Sequence, residues 1–247
     1  MQKTYYRRHL PHYHPENAIF HVVFRLAGSL PAEVIEQLQK QCKEQEHEIK
    51  AIKNSQERSK QKQNCYQHYF ERFESLLDGN STGPTWLKEP EVAAIVKEAL
   101  HHRDNRDYTL LAYCIMPNHV HMVCTVGRLG ESTYNESSTV VRLPESTYNE
   151  SSTVVRLPES TKPETGRDGV STYDLIKILE SLKKYTALRI NRVLHRTGAF
   201  WQYESYDHVT RNDDELEKTI RYVLYNPVKA GLVDKWENWK WSYCKQN

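Results

Sequence analysis

The chain has 247 residues, 38% of them apolar and 27% charged, with a formal net charge of +2. That length fits one domain with insertions or two small domains, and the near-neutral balance excludes binding to nucleic acid through bulk charge alone. No run of about 18 apolar residues occurs, and the opening MQKTYYRRHLPHYHP lacks the apolar stretch of a signal peptide, so neither a transmembrane helix nor a signal peptide is expected.

Residues 18–26, AIFHVVFRL, read as a strand, being short, apolar and rich in β-branched and aromatic types. A helix is predicted over 31–41, with Pro31 in its first turn and Val34, Ile35 and Leu38 at helical spacing. From about 43 to 64 the chain is polar and rich in Lys, Gln and Glu, which reads as an exposed helical extension or a poorly ordered insertion. Apolar periodicity returns with Tyr66, Tyr69, Phe70, Phe73, Leu76 and Leu77 and breaks at Asp78-Gly79. PEVAAIVKEALHH (90–102) is an amphipathic helix opened by Pro90. Two strand-like runs, 108–115 and 119–126, flank Met116-Pro117-Asn118 and predict an antiparallel hairpin.

The 14-residue unit ESTYNESSTVVRLP occupies 131–144 and recurs unchanged over 145–158. Two copies of so short and polar a unit do not build a solenoid, so 127–170 reads as a loosely ordered insertion in a surface loop. A long amphipathic helix is predicted over about 172–195, its apolar side formed by Leu175, Ile178, Leu179, Leu182, Leu188, Ile190 and Val193. FWQYESYDHV (200–209) reads as extended; Asn212 or Asp213 caps a last helix over 213–225, ended by Pro227. Trp236, Trp239 and Trp241 in the tail are expected to pack. The five cysteines, Cys42, Cys65, Cys114, Cys124 and Cys244, are scattered and show no Cys-x-x-Cys spacing, so a reducing cytoplasm is the natural compartment.

The order β, α, α, β, β, insertion, α, β, α predicts an α+β fold. Its simplest form is a ferredoxin-like antiparallel sheet with helices on one face. One domain, 1–247, is expected, with polar insertions at about 43–64 and 127–170.

Two places carry candidate chemistry. In His119-Val120-His121 the alternation of a strand projects both imidazoles from one face, where they can share a divalent ion whose shell is completed by substrate and water. Alone, such a pair is more often two polar residues on the exposed face of a strand. On the last helix Leu216, Ile220, Val223 and Leu224 form an apolar stripe, and Tyr222 and Asn226, four residues apart, flank it. Lys218 precedes Tyr222 by one turn on the same side. Basic residues also cluster locally, at Arg7 and Arg8 beside Tyr5 and Tyr6, and at Lys183, Lys184 and Arg189.

CIMPNHVHMV (114–123) followed by IRYVLYNPVKAGLV (220–233) resembles the HUH single-tyrosine transposases, in particular the group associated with repetitive extragenic palindromes. The resemblance implies an HUH endonuclease fold, with His119 and His121 as metal ligands, Tyr222 as nucleophile and Asn226 as the third protein ligand. Asn226 stands where related small transposases commonly carry glutamine; either amide offers a carbonyl oxygen to Mg²⁺ or Mn²⁺. The implied activity is metal-dependent cleavage and rejoining of hairpin-associated single-stranded DNA through a 5′-phosphotyrosine. Tyr5, Tyr6, Arg7 and Arg8 would combine stacking with phosphate contacts, Lys183, Lys184 and Arg189 would grip the backbone, and Lys218 would activate the phenol electrostatically. A monomer is expected, with a dimer left open; the alternative is a non-catalytic hairpin-binding protein derived from such an enzyme.

Overall fold

The computed structural model describes residues 18–79, 83–126, 175–210 and 212–245, and the backbone of four short strands outside these ranges. In chain order the elements begin with β1 (Tyr5–Arg7), β2 (Pro11–Tyr13), β3 (Ala18–Arg25), α1 (Ala32–Lys50), α2 (Ser55–Gly79) and α3 (Pro90–Arg103). There follow β4 (Thr109–Ile115), β5 (His119–Val126), β6 (Val141–Arg142), β7 (Val154–Val155) and α4 (Leu175–Val193). The chain closes with β8 (Tyr206–Thr210), α5 (Asp213–Lys229) and β9 (Ser242–Cys244). The repeat over 131–158 lies outside the described residues apart from the backbone of β6 and β7, as do the side chains of Tyr5, Tyr6, Arg7 and Arg8.

Five strands form one antiparallel sheet in the order β8-β3-β5-β4-β9. Taken with α3 and α4, strands β3, β4, β5 and β8 have the ferredoxin-like sequence β-α-β-β-α-β and its order, fourth, first, third, second. β9 extends the β4 edge. The expected α+β class and antiparallel sheet are therefore present.

The placement of helices is richer than expected from sequence. Strands β3 and β4 are buried at every position, as is all of β5 except Thr125, which is half-buried. Strands of this kind require cover on both faces. One face, carrying Phe20, Val22, Phe24, Val120 and Met122, packs on α3 and α4. The other, carrying Ile19, Ala112, Cys114 and Val123, packs on Leu216, Ile220, Val223 and Leu224 of α5. A register shift between Leu110 and Ala112 turns Leu111 toward the α5 side. Trp236 and Trp239 pack on the α5 side and Trp241 on the other, as the tail's composition predicts.

One local expectation is met in the first of its two forms and two are corrected. The polar stretch 43–64 is largely helical and exposed: it completes α1 and opens α2, two paired helices. Tyr66 donates to Glu46 Oε1 at 2.5 Å and Arg72 to Gln41 Oε1 at 2.8 Å across the pair, so polar side chains join what an apolar seam would otherwise hold. Leu188 is 56% exposed and is not part of the α4 core, which is completed by Thr186. Pro227 does not end α5, which runs through it to Lys229. In the last turn a proline forfeits only its own bond, to the carbonyl four residues back, and Ala230 N–H still donates to Asn226 O at 2.9 Å. Gly231, at φ +67°, then turns the chain out of the helix.

Candidate active site

The site forms on the α5 face of the sheet. In β5 the alternation predicted from sequence holds: Val120 enters the α3/α4 core, while His119 and His121 face the other way, at 1% and 0% exposure. Their Nε2 atoms lie 2.9 Å apart. β3 pairs Val23 with His121, which brings His21, two residues earlier and on the same face, alongside. His21 Nε2 lies 3.2 Å from His121 Nδ1, and the two rings stack with centroids 5.5 Å apart.

α5 brings Tyr222 to the same place. Its ring centroid is 6.0 Å from that of His121 and 6.2 Å from that of His21. Asn226, one turn on, is buried and donates through Nδ2 to Tyr222 O at 3.0 Å. The cation near the Tyr222 ring is Lys229, 5.8 Å from its centroid, whereas Lys218 is exposed.

The last turns of α2 close the site, a contribution not foreseen from the sequence. Glu74 is 1% exposed; one carboxyl oxygen accepts from the Tyr222 hydroxyl and the other lies 3.3 Å from His121 Nδ1. Asp78 Oδ1 is 4.0 Å from His119 Nε2, and its Oδ2 is 3.4 Å from Lys229 Nζ. Glu74 and Asp78 were hidden among the many charges of a polar helix. His21 had a signal: it is a lone histidine in an otherwise apolar strand, in phase with the polar face.

Electrostatics keep the imidazoles neutral. Burial, with the nearby His208, holds His21 down to about 3; burial and Lys229 do the same for His119, also to about 3. His121 is lowered well below the ordinary range by burial, His119, His21 and Lys229. Glu74 is pushed up to about 9 by burial and by Asp78, against the pull of Lys229. Asp78 is raised by burial, opposed by Lys229.

Neutral imidazoles keep lone pairs for a cation. Glu74 Oε1, Asp78 Oδ1 and Asn226 Oδ1 are buried oxygens without a hydrogen-bond donor among the described residues. Buried acceptors left unmatched are costly, and a divalent cation beside the imidazoles would satisfy Asn226 Oδ1. The ligand atoms of His21, Glu74 and His121 all lie within 4.8 Å of one another. Imidazole nitrogens of His119 and His121 with the amide oxygen of Asn226 form a donor set that fits a divalent metal.

The basic residues of α4 picked from sequence are elsewhere. α4 covers the sheet face away from the histidines. There Lys183 Nζ donates to Gln202 O and Tyr203 O at 3.0 and 3.1 Å, and Arg189 pairs with Glu98 at 3.1 Å. Lys184 is exposed. Of the rival tyrosines, Tyr185 accepts from Arg189 on that far face, while Tyr206 stacks on Phe70 with ring centroids 3.7 Å apart.

No family model matches the chain. A curated REP-associated tyrosine transposase from Haemophilus influenzae is 36% identical over 52 residues, a match covering 21% of this chain and 30% of that protein's length. A solved structure of a REP-associated tyrosine transposase bound to a REP hairpin aligns over 98% of this chain and 82% of that one, with a TM-score of 0.46 and 15% identity. Over those 52 residues the chain resembles a REP-associated tyrosine transposase. No described helix is long and apolar enough to cross a membrane.

Proposed function

We propose that this chain is a REP-associated tyrosine transposase, a metal-dependent endonuclease and strand transferase that acts on hairpin-associated single-stranded DNA with Tyr222 as nucleophile. The observation that carries the reading is the meeting of Tyr222 with the His119/His121 pair on one sheet face, from elements a hundred residues apart in sequence. The match to the curated relative supports it.

The atoms assigned to hold Mg²⁺ or Mn²⁺ are Nε2 of His119 and His121 and Oδ1 of Asn226. A bound cation supplies charge neutralisation at the scissile phosphate and holds it for in-line displacement. The sheet fixes the imidazoles, and α5 carries Tyr222 and Asn226 as one rigid unit. The Tyr222 oxygen bonds to phosphorus as the bond from phosphorus to the 3′ oxygen breaks. The phenol proton passes through solvent to the departing 3′ oxygen. The products are a 5′-phosphotyrosine and a free 3′-hydroxyl, so reversal by a second 3′-hydroxyl rejoins strands without a nucleotide cofactor. Tyr5, Tyr6, Arg7, Arg8 and Lys184 remain the residues proposed to hold DNA. Lys183 and Arg189, engaged within the fold, are secondary.

The test is covalent trapping. Wild-type protein and Tyr222→Phe are incubated with Mn²⁺ and a labelled single-stranded hairpin carrying flanking sequence. The expected result is a denaturation-resistant adduct bearing the 3′-side fragment in wild type and none in the variant. Binding without cleavage, across several hairpins and both metals, would establish the non-catalytic alternative instead.

A further inference from the structure

We propose that Glu74 is the positioning residue for the Tyr222 nucleophile, which makes the inserted α2 helix a wall of the active site. The inference rests on the reading of Tyr222 as nucleophile given above.

α2 meets the site through one stripe. Phe70 packs edge-on against His21, with centroids 5.6 Å apart. Glu74, one turn later, receives the Tyr222 hydroxyl. Leu77 O accepts from Asn118 Nδ2 at 2.8 Å, next to His119. Asp78 reaches His119 and Lys229. Residues separated by three and four share a helix face, so this is one surface of α2 and not a chance touch.

Glu74 is the unusual member. Its side chain is 1% exposed, a position where an aliphatic residue would suit burial better. Its value lies in its contacts. Tyr222 is only half-buried, and its ring pivots about two side-chain torsions, so packing alone does not fix the hydroxyl. Donation of the phenol proton to Glu74 fixes it, beside His121, and leaves the lone pairs of the phenol oxygen uncommitted. A misplacement of about 1 Å in such a group costs on the order of a hundredfold in rate.

The experiment compares Glu74→Met, which keeps bulk but has no comparable acceptor, with Glu74→Gln, which keeps an acceptor oxygen. Three quantities are read: the rate of adduct formation on the hairpin, Mn²⁺ affinity, and the ¹⁹F resonance of 3-fluorotyrosine placed at position 222. We expect Glu74→Met to slow adduct formation by at least about tenfold, to shift the fluorine resonance, and to leave Mn²⁺ affinity within about threefold. Glu74→Gln should recover most of the rate. A wild-type rate in Glu74→Met would overturn the proposal. So would loss of Mn²⁺ affinity in both variants, which would make Glu74 a ligand together with His21. Absence of an adduct in the wild type would contradict the transposase reading itself. The fluorine resonance would then decide separately whether Glu74 holds the Tyr222 hydroxyl, an unmoved resonance rejecting it.

Discussion

The side-chain oxygen of Asn118 lies 2.6 Å from His119 Nδ1, while its Nδ2 donates to Leu77 O at 2.8 Å. The second bond fixes which end of the amide faces the ring, so His119 must carry its proton on Nδ1 and keep the Nε2 lone pair directed at His121. Asn118→Ala should therefore weaken Mn²⁺ binding by roughly tenfold to a hundredfold without removing any ligand. Titration followed by the signal of free Mn²⁺ checks this; unchanged affinity would show that the tautomer is set some other way.

α5 depends on its first turn. Asn212 Oδ1 accepts from Glu215 N at 2.9 Å, and Asp213, Asp214 and Glu215 complement the positive end of the helix. Asn212→Ala should cost about 1 kcal/mol in chemical denaturation, and Asn212→Gly a few tenths.

On the opposite face Trp201 Nε1 donates to Thr186 Oγ1 at 2.8 Å inside the core beneath α4. Thr186→Val keeps the shape but strands a buried indole N–H, at a cost of about 1–3 kcal/mol. Because the sheet separates this bond from the histidines, adduct formation per folded molecule should not change. A matching loss of activity would mean that the two faces are coupled.

All five cysteines are buried and free. Burial pushes Cys114 up to about 12 and raises Cys124 as well. At pH 8 both remain protonated, so a thiol-reactive disulfide should modify them only after unfolding. Prompt labelling of either in the native protein would contradict the packing of β4 and β5.

The sequence carried the fold where periodicity is strong. The β3 and β5 runs, the α3 and α4 patterns and the Met116-Pro117-Asn118 turn each declare themselves locally, and their order is that of a ferredoxin-like sheet. It also pointed to His119 and His121 by strand alternation and to Tyr222 and Asn226 by the resemblance of their motifs, and the structure brings Tyr222 beside the histidine pair, with Asn226 one turn on. What it could not carry was contact at long range. Glu74 meets Tyr222 across 148 residues, and nothing in the polar surroundings of Glu74 distinguishes it from Glu71 or Glu57. Lys229, two turns after Tyr222 in a helix that continues through Pro227, is the cation found 5.8 Å from the centre of its ring.

The most direct test of the central claim is to digest the trapped protein–DNA adduct and locate the nucleotide by tandem mass spectrometry. The account predicts a 5′-phosphonucleotide on the phenol oxygen of Tyr222. Its appearance on Tyr185, Tyr206 or another residue, or recovery of cleaved DNA with every tyrosine unmodified, would contradict it.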